Sequence, residues 1–460
     1  MKRLFAFILV IGILSSLLVS CKKEEAPAEA YINGVHLSQY VIVYDADGLD
    51  YDKRAAEYIR ESVKARTRIE LTIADDSTAP AAHEIVVGDT DRAISEKLDA
   101  ECEGLEYAIL ADSGHIALEG DYFIIAAAAY FFVDSYVPSG DGQTTVPEEI
   151  KIHEPIVREA KNFIVMIGDG MGVNQTKIFD YTDAEVEYSD GEDIFYGYLL
   201  PYSGFSRTRS LSGVTDSAAG GTALSTGYKT LNEYIGRDKD GNDLQSITEL
   251  AASLGKATAV MSTEANTGAT PASFSAHALD RDSSGVISQS QLVTMQTYGT
   301  VIDCGFDYYT AARMTGTIEK HFNDTLAKVS ADADGFFMMY EEAHIDKHCH
   351  NNELDKTYRA VVRFNQIIGR VMEFAFYNPE TFVLITADHE TGDLYEEDGE
   401  LKYHHDDHTA NDVPVFAYGM GAELFDGITV ENIQIAHTLA SFMGVYDFGD
   451  QSEFSYLGKE

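Results

Sequence analysis

Five short apolar runs divide the second two thirds of the chain and indicate its fold class. Each run is continuous rather than alternating, which is typical of strands that are buried on both faces. The runs are Phe163–Ile167, Ala257–Met261, Phe336–Tyr340, Phe382–Thr386 and Val413–Tyr418. Helix-length segments separate them, and such an alternation favours a mostly parallel sheet. We predict an α/β fold over residues 156–460, with a mostly parallel central sheet and helices on both faces.

A small α/β domain is predicted to precede this sheet, over residues 31–155. It opens with a strand at Val41–Tyr44 and an amphipathic helix at Tyr51–Ala65, and a hairpin follows around Asp112-Ser113-Gly114. The order of these elements resembles the small N-terminal domain of some bacterial glycoside hydrolases. The segment carries no cluster of histidines, cysteines or paired carboxylates that indicates a site, so we predict an accessory role for it.

The first thirty residues have the pattern of a targeting segment. Lys2 and Arg3 precede an apolar run to Val19, which is short for a membrane span. Leu18 to Cys21 (LVSC) resembles the lipobox of bacterial lipoproteins, whose cysteine is acylated after cleavage. The alternative is an ordinary signal peptide with an incidental cysteine. We predict a signal at 1–20, lipidation of Cys21, a tether at 21–30, and an exported lipoprotein on the periplasmic side of a membrane or at the cell surface.

The charge balance excludes one class of partner. The chain has 76 acidic and 33 basic residues, a formal net charge of −43. Nucleic-acid binding needs clustered Lys and Arg, so no nucleic-acid partner is expected. Most of the excess carboxylates are interpreted as a solvated surface, while a few are candidates to hold hard cations.

Cys102, Cys304 and Cys349 form no metal-binding CxxC pair, and the sequence does not indicate which of them pair, if any.

Residues of the types that commonly bind metals cluster beside the predicted strands. In a parallel sheet the carboxyl ends of the strands meet at one edge, where ligands bind. Two of these residues, Asp346 and His350, are four apart and would share one face of a helix. The candidate metal ligands are Asp169, Thr270, Glu341, Asp346, His350, Asp388, His389 and His408.

The ligand types divide into three sets. Nitrogen together with carboxylate suits zinc, and oxygen alone suits magnesium. The first zinc set is Asp346, His350 and His408. The second is Asp169, Asp388 and His389. The all-oxygen set is Asp169, Thr270 and Glu341, so Asp169 would bridge two ions.

Ser217 is the candidate nucleophile. It stands at the predicted start of a helix, where free N–H groups favour an anion, although Ser217 or Asp216 could simply be the N-cap. The glycine-rich segment 168–172 lacks the G-x-G-x-x-G spacing of a dinucleotide site, and its Asp169 would repel a pyrophosphate.

Six separated motifs, from about residue 161 to the end, resemble the alkaline phosphatase family. They are IGDGMG at 167–172, VTDSAA at 214–219, ATP at 269–271, Glu341 with IDK at 345–347, TADH at 386–389 and HT at 408–409. The resemblance implies hydrolysis of phosphate monoesters through a phosphoserine at Ser217, with two zinc ions and one magnesium ion. It also implies that Arg281 clamps the phosphate and that Lys347 contacts it through water.

The sequence departs from the family pattern in three places. Gly268 stands where some bacterial members have an acid, and the segments 281–335 and 389–408 are short, which implies a more open site. These features do not decide whether the protein forms a homodimer. The alternative functions are a phosphodiesterase or sulfatase of the same superfamily, or a non-catalytic glycan-binding lipoprotein.

Overall fold

The computed structural model describes residues 26–98, 102–181, 194–305 and 317–459. Cys21 and the predicted signal lie outside the described residues. The elements up to residue 155 are β1 (Ala30–Ile32), β2 (Val35–His36), β3 (Val41–Tyr44), α1 (Asp50–Thr67), β4 (Thr72–Asp75), β5 (Glu84–Val87), α2 (Ala93–Lys97), β6 (Tyr107–Asp112), β7 (His115–Glu119), α3 (Ile125–Tyr136), β8 (Gly142–Thr144) and β9 (Lys151–His153). Their main sheet has the order β4-β3-β5-β7-β6-β9, and β1, β2 and β8 form a separate small sheet.

The later elements are β10 (Asn162–Gly168), α4 (Val173–Thr176), β11 (Tyr202–Arg207), α5 (Ser217–Thr226), α6 (Ile247–Ser253), β12 (Ala257–Ser262), α7 (Ala269–Ser273), α8 (Ser284–Tyr298), β13 (Val301–Cys304), α9 (Thr317–Val329), β14 (Phe336–Glu342), α10 (His344–Cys349), α11 (Leu354–Tyr377), β15 (Thr381–Thr386), β16 (Glu390–Thr391), β17 (Leu394–Glu397), β18 (Glu400–Tyr403), β19 (His408–Thr409), β20 (Val413–Tyr418), β21 (Thr429–Glu431) and α12 (Asn432–Phe442). Short 3₁₀ helices lie at Leu37–Gln39, Tyr122–Ile124, Ile178–Tyr181, Tyr196–Leu199 and Ala422–Phe425.

The central sheet has the order β13-β12-β14-β10-β15-β20-β11-β21. The strands from β13 to β15 are parallel, which confirms the predicted fold class. Side chains of β10 alternate between two cores: Ile164 and Met166 pack on one face, and Phe163, Val165 and Ile167 pack on the other. Burial of both faces explains why this strand reads as a continuous apolar run.

The run Val413–Tyr418 is the exception to the parallel pattern. As β20 it pairs antiparallel with both β15 and β11. A continuous apolar run does not reveal strand direction, because a strand buried on both faces has the same pattern in either direction. The reversal has a consequence for the site. It places the start of β20, and His408 shortly before it, at the edge where the parallel strands end.

The N-terminal elements pack on helix α11 and share one hydrophobic core with the later region. The rings of Tyr58 and Tyr377 stack with centroids 4.0 Å apart, and Phe123 meets Tyr196 edge-on at 5.0 Å. The Nε atom of Arg54 lies 3.0 Å from a carboxylate oxygen of Glu373 in α11. The two regions therefore have separate sheets but a continuous apolar interior.

Candidate active site

Ser217 is the first residue of α5, and its side chain is almost completely buried. The N-cap is Asp216, whose Oδ1 accepts a hydrogen bond of 3.0 Å from the N–H of Ala219. The capping role therefore belongs to the aspartate, which leaves the serine hydroxyl available. Ser217 Oγ lies 3.1 Å from Nε2 of His389. The serine thus stands at the positive end of a helix, facing a candidate metal ligand.

The structure brings together the three residues of the predicted first zinc set. Asp346 lies in α10 and His350 caps that helix, so the i, i+4 spacing places them side by side. Oδ1 of Asp346 is 3.4 Å from Nε2 of His350 and 3.6 Å from Nε2 of His408. The two Nε2 atoms are 3.0 Å apart. Two ligands of one tetrahedral zinc, with bonds of about 2.0 Å, stand about 3.3 Å apart, so these donor atoms fit zinc.

Backbone carbonyls orient two of the histidines. Nδ1 of His350 lies 2.6 Å from the carbonyl oxygen of Asp406, and Nδ1 of His408 lies 2.9 Å from that of Thr215. A carbonyl only accepts, so each Nδ1 carries the proton and each Nε2 presents a lone pair to the cluster. Fixing the tautomer in this way is a regular feature of histidines that bind metals.

The predicted second zinc set also converges. Nε2 of His389 is 3.5 Å from Oδ1 of Asp169 and 3.3 Å from Oδ2 of Asp388. Burial lowers the pKa of His389 well below its ordinary value, so its imidazole is neutral and can act as a ligand. Burial, followed by the charge of Asp346, raises the pKa of Asp388 to about 6. The rings of His389 and His408 stack with centroids 3.7 Å apart, so the two sets are adjacent.

Thr391 connects the two sets. Its hydroxyl donates to Oδ1 of Asp346 at 2.5 Å and accepts from Nδ1 of His389 at 3.2 Å. The first bond orients a carboxylate, and the second turns Nε2 of the histidine toward the cluster. Gly170 makes this approach possible, since a Cβ there would lie 2.8 Å from the Thr391 hydroxyl. Gly170 also has a φ of +72°, a conformation that favours glycine.

The all-oxygen set lies on neighbouring elements of the same edge. Ile167 pairs with Glu341 between β10 and β14, and Asp169 follows β10 directly. Thr270 lies in the first turn of α7, and its side chain is fully buried. Burial, followed by neighbouring carboxylates, raises the pKa of both Asp169 and Glu341 well above the ordinary value.

Four buried oxygens of the predicted ligands have no hydrogen-bond partner among the described residues. A buried polar atom without a partner is costly, so such atoms require an explanation. A bound cation would provide the missing partner and would neutralise the clustered carboxylates. The atoms are Oδ1 of Asp169, Oγ1 of Thr270, Oε1 of Glu341 and Oδ2 of Asp388.

Both predicted phosphate-binding cations are held by carboxylates. Nη1 of Arg281 lies 3.1 Å from Oδ2 of Asp216, so the residue that caps α5 also anchors the guanidinium beside Ser217. Nζ of Lys347 lies 2.6 Å from Oε2 of Glu264. Arg281 is therefore held by the residue that precedes the nucleophile, whereas Lys347 is paired with a residue that the motifs do not include.

Three residues of the site were not predicted from the sequence: Thr391, Glu264 and Asp407. Asp407 offers a carboxylate oxygen close to donor nitrogens of His350 and His408. Its position beside His408 was the available signal, but the carboxylate is exposed, and adjacent acids are common on an acidic surface.

Cys102, Cys304 and Cys349 are free thiols in the described part of the chain. None of the described helices is long and apolar enough to cross a membrane.

These features define an α/β protein with histidine and carboxylate ligands gathered beside a serine at the carboxyl edge of its sheet. The alkaline phosphatase family model matches residues 160–301 and 303–396, about half of the chain. The chain belongs to the alkaline phosphatase family.

Individual relatives agree with this assignment. Alkaline phosphatase 3 of Bacillus subtilis is 30% identical over 285 residues, which cover 51% of this chain and 62% of the relative. The Escherichia coli enzyme is 34% identical over 162 residues, which cover 34% of each chain. The solved alkaline phosphatase from the Antarctic bacterium TAB5 matches with a TM-score of 0.55 and 27% identity, over 62% of this chain and 99% of that one. This chain spans less than two thirds of the length of the Bacillus relative.

Proposed function

We propose that the protein hydrolyses phosphate monoesters through a phosphoserine formed on Ser217. The observation that carries the proposal is the position of the Ser217 hydroxyl, buried at the start of α5 and 3.1 Å from Nε2 of His389. His389 belongs to one of two adjacent ligand sets, and membership of the alkaline phosphatase family supports the same chemistry.

The metal requirement is proposed as two zinc ions and one magnesium ion. When bound, these ions would neutralise negative charge on the transferring phosphoryl group and lower the pKa of coordinated oxygen atoms. The ligands would be Asp346, His350 and His408 for the first zinc, Asp169, Asp388 and His389 for the second, and Asp169, Thr270 and Glu341 for magnesium. The unpartnered oxygens and the donor separations support this assignment.

The residues of the chain position the reactants. Ser217 Oγ forms the new O–P bond while the ester O–P bond breaks and the alcohol leaves. Free N–H groups at the start of α5 favour the anion there. Arg281, held by Asp216, presents a planar fork to two non-bridging oxygens, which a lysine could not imitate. Water then cleaves the phosphoserine, releases inorganic phosphate and restores Ser217, so that two displacements give net retention at phosphorus.

The decisive variant is Ser217→Ala. We expect it to abolish the acid-stable phosphoenzyme that forms from a labelled aryl phosphate, and to reduce turnover by several orders of magnitude. The matched control is Ser225→Ala, which removes another buried hydroxyl from the same helix without approaching the ligand sets. Wild-type turnover in Ser217→Ala would refute the mechanism.

A comparison of substrates separates the monoesterase from the alternatives. Thr270, Glu341 and Arg281 favour a monoester dianion over a diester or a sulfate ester, because they provide a third cation site and a forked donor. We expect faster hydrolysis of a mono-aryl phosphate than of a di-aryl phosphate, and about two zinc ions per chain by metal analysis. Preference for the diester would favour the phosphodiesterase, and hydrolysis of neither would favour the sulfatase or the glycan-binding protein.

We also propose that the protein is an exported lipoprotein anchored through Cys21. The support is the lipobox-like segment after a basic and apolar start. On expression in a bacterium that processes lipoproteins, Cys21→Ala is expected to move the protein from the membrane fraction to the soluble fraction. If the variant stays with the membrane, the anchor lies elsewhere.

A further inference from the structure

The ion pair between Glu264 and Lys347 is tied to the all-oxygen set. Nζ of Lys347 lies 2.6 Å from Oε2 of Glu264, whose side chain is only 18% exposed. The N–H of Glu264 donates to Oγ of Ser262 at 2.9 Å, and that hydroxyl donates in turn to Oε2 of Glu341. A continuous hydrogen-bonded path therefore connects Glu264 to a candidate magnesium ligand.

The glycine at position 268 provides the space that Glu264 occupies. A Cβ at Gly268 would lie 1.7 Å from Oε1 and 2.0 Å from Cδ of Glu264. The backbone of Gly268 has φ −57° and ψ 153°, which any residue adopts. The backbone conformation therefore does not require a glycine at position 268. The glycine is needed because the carboxylate of Glu264 occupies the space that a Cβ would fill.

The surroundings of Lys347 show what the pair prevents. Oε1 of Glu341 and Oδ1 of Asp169 are buried without hydrogen-bond partners among the described residues. Ser262 pairs with Glu341 between β12 and β14, and its hydroxyl connects Glu264 to that carboxylate, so the ion pair of Glu264 and Lys347 lies close to Glu341. A lysine that lost Glu264 would turn its flexible side chain toward these unpartnered oxygens.

We propose that Glu264 is a positioning residue that holds the ammonium group of Lys347 away from Glu341 and Asp169 and so keeps their oxygens free for a divalent cation. The proposal rests on the proposed function, because it takes that oxygen set to bind magnesium. Glu264 acts through Lys347 rather than as a ligand. Position 268 is part of the same arrangement, since only a glycine there admits the carboxylate.

A double-mutant cycle tests the proposal by calorimetric titration of the zinc-loaded protein with Mg²⁺ alone, in the absence of substrate. We expect Glu264→Gln to weaken Mg²⁺ binding about tenfold, the usual effect of losing a partner that orients a metal site. Lys347→Met should not weaken binding, and the double variant should bind like Lys347→Met. If the double variant binds as weakly as Glu264→Gln, Glu264 does not act through the lysine.

A second variant makes the same test without removing a charge. Gly268→Ala should displace the Glu264 carboxylate and weaken Mg²⁺ binding as Glu264→Gln does, with no further loss when the two are combined. The control is Gly285→Ala, because a Cβ at Gly285 meets no atom within 4 Å. Wild-type Mg²⁺ affinity in Gly268→Ala would contradict the proposal.

The outcomes distinguish this inference from the proposed function. Unchanged Mg²⁺ affinity in Glu264→Gln, with a phosphoenzyme still formed, overturns the inference alone. A lower unfolding midpoint in metal-free Glu264→Gln, with unchanged Mg²⁺ affinity, would show a structural role and also overturn it. No Mg²⁺ binding by the wild-type protein would overturn both the inference and the proposed magnesium set.

Discussion

The buried carboxylate of Asp388 should destabilise the metal-free fold, and its removal should stabilise that fold. Burial and the charge of Asp346 raise its pKa from 3.8 to about 6. When the pKa of a carboxyl is higher in the folded state than in the unfolded state, the protein loses stability as the pH rises from the unfolded-state pKa to the folded-state pKa. The rise corresponds to about 3 kcal/mol of destabilisation above pH 6, with nothing lost below about pH 3.8.

Asp388→Asn removes this penalty and keeps the local hydrogen bonds. Oδ1 accepts from the N–H groups of Gly170 at 3.3 Å and His389 at 3.1 Å, which an amide oxygen also does. The new amide nitrogen would replace Oδ2, which lies 3.3 Å from Nε2 of His389. This amide nitrogen would donate a hydrogen bond to Nε2 of His389, whereas Oδ2 of the carboxylate has no hydrogen-bond partner among the described residues.

Urea unfolding after treatment with a chelator measures the effect. At pH 8 we expect Asp388→Asn to exceed the wild type in free energy of unfolding by about 3 kcal/mol, and at pH 4 by much less. Excess zinc should reverse the order, because a ligand at a thousand times its dissociation constant adds about 4 kcal/mol to a protein that binds it. The control is Asp398→Asn, an exposed residue of the β17–β18 turn. A chelated variant less stable than the wild type at pH 8 would refute the reasoning.

Thr391→Val keeps the shape of the side chain but loses its hydrogen bonds with Asp346 and His389, so zinc affinity measured by competition with a chromophoric chelator should fall about 10–100-fold. Unchanged affinity would mean that the threonine does not orient the ligands. Glu342 is buried, which alone raises its pKa, but the charge of Arg363 lowers that pKa from 4.5 to about 2. The pair therefore stabilises the fold above pH 4.5 and loses this effect as the pH falls toward 2. Glu342→Gln should lower the free energy of unfolding at pH 7 by about 3 kcal/mol in urea titrations, and an equal loss at pH 2 would contradict this.

The central sheet could be predicted because its signal is local. Each of the five apolar runs forms a strand, and the i, i+4 spacing of Asp346 and His350 was sufficient to place both on one helical turn. The direction of β20 could not be predicted from its residues. Direction depends on the path of the preceding chain, including the small β16–β19 pairing that brings His408 to the site.

The contacts that orient the ligands were harder to predict than the ligands themselves. Thr391 acts on Asp346 across 45 residues, and Glu264 meets Lys347 across 83. No periodicity relates such pairs, since the fold alone makes them neighbours. The sequence shows Gly268 as a departure from the family pattern, but the reason lies in the fold, which places the carboxylate of Glu264 in the space beside it.

The acidic composition and the proposed affinity for an anionic phosphate ester are reconciled by the burial of a few carboxylates. Asp169, Glu341 and Asp388 are almost fully buried, and this burial, followed by the charges of neighbouring carboxylates, raises the pKa of each. In the absence of cations this edge of the sheet is a poor place for a phosphate dianion, and Arg281 is already paired with Asp216. Bound cations would reverse the local sign. Because coupling between two ligands is reciprocal, a site whose bound ions strengthen phosphate binding must also bind those ions more tightly when phosphate is present.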